Sequence, residues 1–309
     1  MNTFPTTPRT DTTSRLGLGS AQFGLDYAID KSELRPNTGE IARILSQAYI
    51  EGITVLDTAS RYGNAEELLG QCLKPDHDYR IVTKTPSYQK DRIGPGDVEF
   101  LLSTFKKSLL LLNRPRVYAL LTHWAPDLLA PGGDRLFDAM LSLKDAGLVE
   151  KIGSSVYTAA HIDGLMARFP IDIIQVPVNL LDQRLIASGH LKELKRQGVE
   201  LHARSAFMKG LVFCDIDRLS DHFYSIKSLL REFRGKIERA GLNPISACIR
   251  YLLALSEIDN VVVGVNNISQ LNGILAAANE TAELPDFSEF AIDDPQIVNP
   301  NNWPKVILS

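Results

Sequence analysis

The sequence predicts one (β/α)8 barrel, on three observations. Short apolar runs alternate with amphipathic stretches eight times. The alternation is spread evenly over 309 residues, without a linker, repeat or low-complexity segment. Several of the amphipathic stretches end at a glycine just before the next run, as helices do before strands. A doubly wound open sheet is the alternative arrangement of the same units.

The eight runs are Leu16–Gly19, Thr54–Asp57, Arg80–Lys84, Val117–His123, Lys151–Val156, Ile173–Val176, Glu200–Arg204 and Asn260–Gly264. They are short, mostly apolar and bounded by turn signals, as strands covered on both faces are. Between them, Glu40–Glu51 sets Ile41, Ile44, Leu45 and Ala48 on one helical face and stops at Gly52. Asp134–Ala146 stops at Gly147, and Leu191–Gln197 stops at Gly198. Asn243 followed by Pro244 reads as an N-cap with proline in the first turn. Asn267 or Ser269 opens a last helix, Gln270–Ala278. The whole chain, 1–309, reads as a single barrel domain. Met1–Ser14, polar and Thr-rich, reads as a flexible N-terminal segment, and Leu284–Ser309 as a C-terminal arm over the barrel mouth.

Composition removes several classes. A net charge of −4 leaves no electrostatic footprint for nucleic acid. Cys72, Cys214 and Cys248 are too few and too widely spaced for a disulfide framework or a Cys-x-x-Cys metal site. They suit a reducing compartment, and the expected address is cytoplasmic. No apolar stretch reaches the roughly 18 residues of a membrane span. The longest, Leu101–Leu112, is cut by Lys106 and Lys107. No HExxH motif or acidic cluster suggests a metal. No nucleic-acid or membrane partner is expected, and no assembly beyond a monomer or weak homo-oligomer.

Active sites of such barrels form at the C-terminal ends of the strands. There the second run ends at Asp57 with Tyr62 just beyond, the third at Lys84 and the fourth at His123. Four titratable groups of four types thus fall on neighbouring parts of the rim. Gly17, Gly19 and Gly24 hint at a dinucleotide loop, but Gln22 breaks the Gly-x-Gly-x-x-Gly fingerprint. Tyr27 and Lys31 have a Tyr-x-x-x-Lys spacing that chance explains better than function.

The ordered set Asp57, Tyr62, Lys84 and His123 resembles the catalytic tetrad of the aldo-keto reductase superfamily. Supporting segments are GLGSAQFG (17–24), LDTASRYGNAEELLG (56–70), LTHW (121–124), GLVEKIGSS (147–155), IIQVPVN (173–179) and GVNNISQL (264–271). The resemblance implies a nicotinamide-dependent reductase of small aldehydes, ketones or sugars, acting without metal. Tyr62 would be the general acid and base, Lys84 and Asp57 would tune it, and His123 would orient the carbonyl. A phenol with pKa near 10 is a poor acid at neutral pH. An ammonium about 4 Å away favours the phenolate by up to ~4 kcal/mol, roughly three pKa units. Lys84 is therefore expected to lower Tyr62, with Asp57 keeping the ammonium charged.

The resemblance also implies a cofactor site. Ser20 and Asp57 would lie near the cofactor, and Ser154, Ser155 and Gln175 would hold its nicotinamide carboxamide. Arg204 replaces a stacking tyrosine, Ser205 would bind phosphate, and Gly210 would also contact the cofactor. Gly264, Asn266 and Gln270 would line the phosphate and ribose end, at a helix N-terminus suited to anions. Relatives often carry a basic residue at Asn266 and an adenine-binding Asn at Ile274. NADPH, the cofactor the family favours, and NADH both stay open. Phe23, Trp124, Phe207 and Trp303 are the expected substrate-pocket residues. Two other readings use the same rim: a nucleotide-binding redox-sensing subunit of a larger complex, and a Schiff-base aldolase with Lys84 as nucleophile.

Overall fold

Strands that must be covered on both faces leave no polar side to mark them, and these strands are buried almost end to end. A computed structural model describes residues 12–26 and 34–308. Its strands are β1 (Leu16–Gly19), β2 (Val55–Asp57), β3 (Arg80–Lys84), β4 (Val117–Thr122), β5 (Val149–Ser155), β6 (Ile173–Pro177), β7 (Glu200–Arg204) and β8 (Asn260–Gly264). Each pairs in parallel with the next, and β8 pairs back onto β1 through Leu16–Val261 and Leu18–Val263. The closed ring rules out the open sheet. All eight expected runs hold a strand, with ends shifted by a residue or two. His123 falls one position beyond β4.

The outer helices are α1 (Thr38–Ile50), α2 (Ala65–Cys72), α3 (Pro95–Leu112), α4 (Asp134–Asp145), α5 (Ala159–Met166), α6 (His190–Arg196), α7 (Lys227–Arg239), α8 (Pro244–Ala254) and α9 (Ile268–Ala278). Ile41, Ile44, Leu45 and Ala48 of α1 are buried as its periodicity requires. The Leu101–Leu112 stretch lies within α3, which buries Leu101, Phe105 and Leu112 and exposes Lys106 and Lys107. Asn243 caps α8 by accepting from Ser246 N–H. Asn267, not Ser269, caps α9, accepting from Gln270 N–H at 2.9 Å. Among the described residues no helix is long and apolar enough to cross a membrane.

Among the described residues, three apolar clusters hold the molecule together. The largest lies between the barrel and its helices. A small one, including Val55, Val82, Ala119, Leu121 and Ile173, fills the barrel. The third is built by the C-terminal arm, whose Phe287, Phe290, Ile292, Ile297 and Val298 pack with Leu181, Leu211, Phe223 and Phe233. Backbone bonds from Ile292 N to Leu181 O and from Ser220 N to Ile307 O tie this arm over the β6–β7 side of the mouth. At the opposite end Arg15 donates to the carbonyls of Leu253, Leu255 and Ile258. Thr12–Arg15 forms a 3-10 turn with Thr13 fully buried, so the segment expected to be flexible is fixed from Thr12 onward. Residues 1–11, Ser309 and the Tyr27 and Lys31 pair lie outside the described residues.

Candidate active site

The ends of β2 and β3 place Asp57 and Lys84 side by side. Lys84 Nζ lies 2.7 Å from both carboxylate oxygens of Asp57 and donates to Thr58 O at 2.9 Å. Gln175 of β6 donates to the same Asp57 Oδ1 at 2.7 Å. Tyr62 rides on the β2–α2 loop, with its ring centroid 5.0 Å from Lys84 Nζ. The imidazole of His123 meets that ring edge-on, 5.7 Å between centroids. The four expected side chains thus come together at one point of the rim.

The loop carrying Tyr62 is held by a contact that only glycine permits. A Cβ on Gly24 would stand 1.8 Å from Tyr62 O, and one on Gly63, where φ is +58°, would stand 2.3 Å from Gly24 O. Such distances force the backbone to move. Gly24, just after β1, therefore serves as the seat of the tyrosine loop, while Gly17 and Gly19 lie within β1 itself.

The electrostatics correct one expectation. Burial pushes the Tyr62 phenol well above the ordinary tyrosine range, Asp57 and Tyr157 push it the same way, and Arg204 is the cation that pulls it down. Lys84 does not dominate, because its charge is compensated by Asp57 at contact distance. Burial also drives the His123 imidazole down to about 3, with Lys84, Arg61 and Arg204 adding repulsion. His123 is therefore neutral near pH 7, and its buried Nδ1 has no hydrogen-bond partner.

A groove of about 560 Å³ opens beside these residues. It runs from Gly19, Asp57, Tyr62 and Gln175, past Arg204, Ser205 and Gly210, to Gly264, Asn266, Gln270 and Ile274. Seven of the expected cofactor residues besides Asp57 line it. Ser155 lines the smaller adjoining cavity instead. Ser20 and Ser154 line neither. Ser20 N is bound to Asp57 O, and Ser154 is fully buried with its hydroxyl 3.4 Å from Thr122 O. The buried Ser20 Oγ and Arg204 Nε lack hydrogen-bond partners. With Ser205, Lys209 and Gly210 all at positive φ, the loop after β7 forms a cradle along the groove. An elongated phosphate-bearing ligand fits this wall.

The second cavity, about 160 Å³, is lined by Tyr62, Lys84, His123, Ser155, Tyr157, Gln175, Arg204, Ser205, Lys209, Pro300 and Asn301. The aromatic residues expected here are placed otherwise. Phe23 is 1% exposed and belongs to the main core. Trp303 packs edge-on against Phe223 and donates to Ile297 O, serving the third cluster. Trp124 lines neither cavity, and its ring packs tilted against Tyr157, 5.5 Å between centroids. Phe207 lines the groove. Large apolar rings gain more from core burial than from a polar rim. Tyr157, Lys209 and Asn301 were missed by sequence reasoning. The first two follow β5 and β7, where the strand-end rule could have found them. Asn301 comes from the arm and carries no local signal.

Among the described residues no cluster of His, Cys, Asp or Glu is arranged to hold a metal. Known proteins are similar to this chain in sequence and in fold. A curated aldo-keto reductase of Bacillus subtilis, YhdN, is 29% identical over 182 residues, covering 56% of this chain and 52% of that protein. The match thus spans about half the length of that relative. An uncharacterized oxidoreductase of the same organism, YqkF, is 25% identical over 86% of this chain and 87% of its own. The holo form of an aldo-keto reductase from Bacillus halodurans superposes with a TM-score of 0.67 at 20% identity, covering 96% of this chain and 93% of that one, which speaks to the fold. The family profile described as aldo/keto reductase matches residues 15–292, which include the whole ring of strands and all four rim residues. By that match this chain belongs to the aldo/keto reductase family.

Proposed function

We propose that the protein reduces the carbonyl of a small aldehyde, ketone or sugar with a nicotinamide nucleotide bound in the long groove. The observation that carries this reading is the meeting of Tyr62, Lys84, Asp57 and His123 where the groove joins the smaller cavity. A reduced nicotinamide, when bound, supplies hydride to the carbonyl carbon. Tyr62 then gives its phenolic proton to the oxygen, completing the alcohol. Its raised pKa keeps that proton in place until an alkoxide, a stronger base, develops. His123, neutral, donates a hydrogen bond to the same oxygen and fixes its direction. Lys84 and Asp57 hold each other in a buried ion pair, 1% and 6% exposed, and the carboxylate acts with burial to keep the phenol protonated. The same pair argues against Schiff-base chemistry, since a lysine held by a carboxylate is protonated and not nucleophilic.

The far end of the groove supports NADH over NADPH. Glu40 of α1 accepts from Ile268 N at 2.7 Å, and Gln270 accepts from Asn266 N at 2.7 Å. Asn267 takes a third amide of the same α9 terminus. A 2′-phosphate arriving there would find these amides already taken, beside a Glu40 carboxylate that is itself paired with Arg43 at 3.1 Å.

Two measurements test the reading. Fluorescence titration should give an NADH Kd about tenfold or more below that of NADPH, and tighter NADPH binding would overturn the preference. Tyr62→Phe should retain nucleotide binding and lose reduction by about 10²-fold or more. Unchanged turnover would remove Tyr62 as the acid. Nucleotide binding without turnover of any carbonyl in a broad panel would instead favour a sensing subunit.

A further inference from the structure

The smaller cavity is one-sided in charge. It is lined by Lys84, Arg204 and Lys209, and no Asp or Glu lines it among the described residues. Lys84 is matched by Asp57, which faces the groove. Arg204 has a different setting. It donates to Val156 O at 2.9 Å and to Ser205 Oγ at 3.2 Å, and its guanidinium lies 4.3 Å from the centre of the Tyr157 ring. These contacts fix its plane, and none of them is a carboxylate. Asn301, from the arm, hydrogen-bonds the Tyr157 phenol on the same wall.

Two side chains register the resulting field. Burial alone would push the Tyr157 phenol up, yet Arg204, Asn301, Lys209 and Lys84 together hold it below the ordinary range. At His123 the same Arg204 and Lys84 act with burial against a positive charge. An anion in this cavity is stabilised, and a second cation is repelled.

We propose that the substrate is a small carbonyl compound bearing a carboxylate, which Arg204 binds together with Tyr157 and Asn301 while the carbonyl oxygen lies between Tyr62 and His123. A planar, immobilised guanidinium suits a carboxylate by two parallel N–H donors. The small volume selects a short molecule. This inference rests on the carbonyl-reductase reading, and its test separates the two.

The probes are 4-oxobutanoate and its methyl ester, two aldehydes differing in one charge. The ratio of kcat/KM, acid over ester, should be about tenfold or more. Arg204→Met should bring that ratio to about one, whatever it does to absolute turnover. Asn301→Asp, which keeps the shape and adds a negative charge, should lower it as well. A wild-type ratio of one or less, or a ratio that survives Arg204→Met, overturns the inference. Turnover of neither aldehyde counts against carbonyl reduction, and calorimetry then decides the charge question with succinate against dimethyl succinate. Selective succinate binding that is lost in Arg204→Met supports the anion site, and its absence overturns it.

Discussion

Burial outweighs charge at the reacting side chains. Tyr62 is lifted by desolvation before any neighbour acts, and His123 is lowered by it. The sign for stability follows. An unfolded imidazole titrates near 6.5 and His123 near 3. As pH falls below 6.5 the unfolded chain takes up a proton that the native site refuses, so this contribution is intact above 6.5 and is lost progressively toward 3. Urea midpoints measured from pH 7.5 to 4.5 should fall, and His123→Gln should show a shallower fall. Reduction, in contrast, should stay flat from pH 6 to 9, because the Tyr62 phenol remains protonated throughout. An alkaline limb inside that window would contradict the assignment. At this scale the sequence was informative where chemistry is tied to strand ends, as at Asp57, Lys84 and His123. It was misleading for Phe23 and Trp303, since nothing local tells an aromatic that it will find a core.

Elements were legible in proportion to the clarity of their ends. The eight strands showed as short apolar runs because both faces are covered. The helices α4 and α6 showed through Gly147 and Gly198, and α8 through Asn243 and Pro244. The helix α7 went unread because it interrupts the strand–helix count with an extra amphipathic unit. The loops between elements do the positioning, and the Gly24–Gly63 contact is the clearest case. Gly24→Ala forces a methyl into Tyr62 O and displaces the loop. The variant should fold, with unchanged far-UV circular dichroism, and lose about 10²-fold in kcat, as a misplaced acid does. Full activity would mean that the loop adjusts without moving the phenol.

At the scale of the whole molecule the arm and the barrel are one packing unit. Phe290 meets Phe233 edge-on at 5.4 Å and lies tilted against Phe287 at 6.3 Å. Phe290→Ala should cost about 3–5 kcal/mol, read as a lowered denaturation midpoint. The same change should weaken substrate selection, because Asn301 is carried on this arm, and the KM for an acidic aldehyde reports it. The arm was visible in sequence only as a loss of periodicity after Glu280. Its contribution to the cavity wall arises from contacts across more than a hundred positions, such as Ile292 with Leu181, which no local pattern encodes.

The pairing of β1 with β8 has a bearing on biosynthesis. Of the strands of the ring, β1 is made first and its partner β8 last, so Leu16–Gly19 waits with one edge open until Asn260–Gly264 emerges. During that wait the nascent protein exposes a sticky strand margin. Chaperone demand should therefore be greatest for ribosome-stalled chains that end just short of the eighth strand.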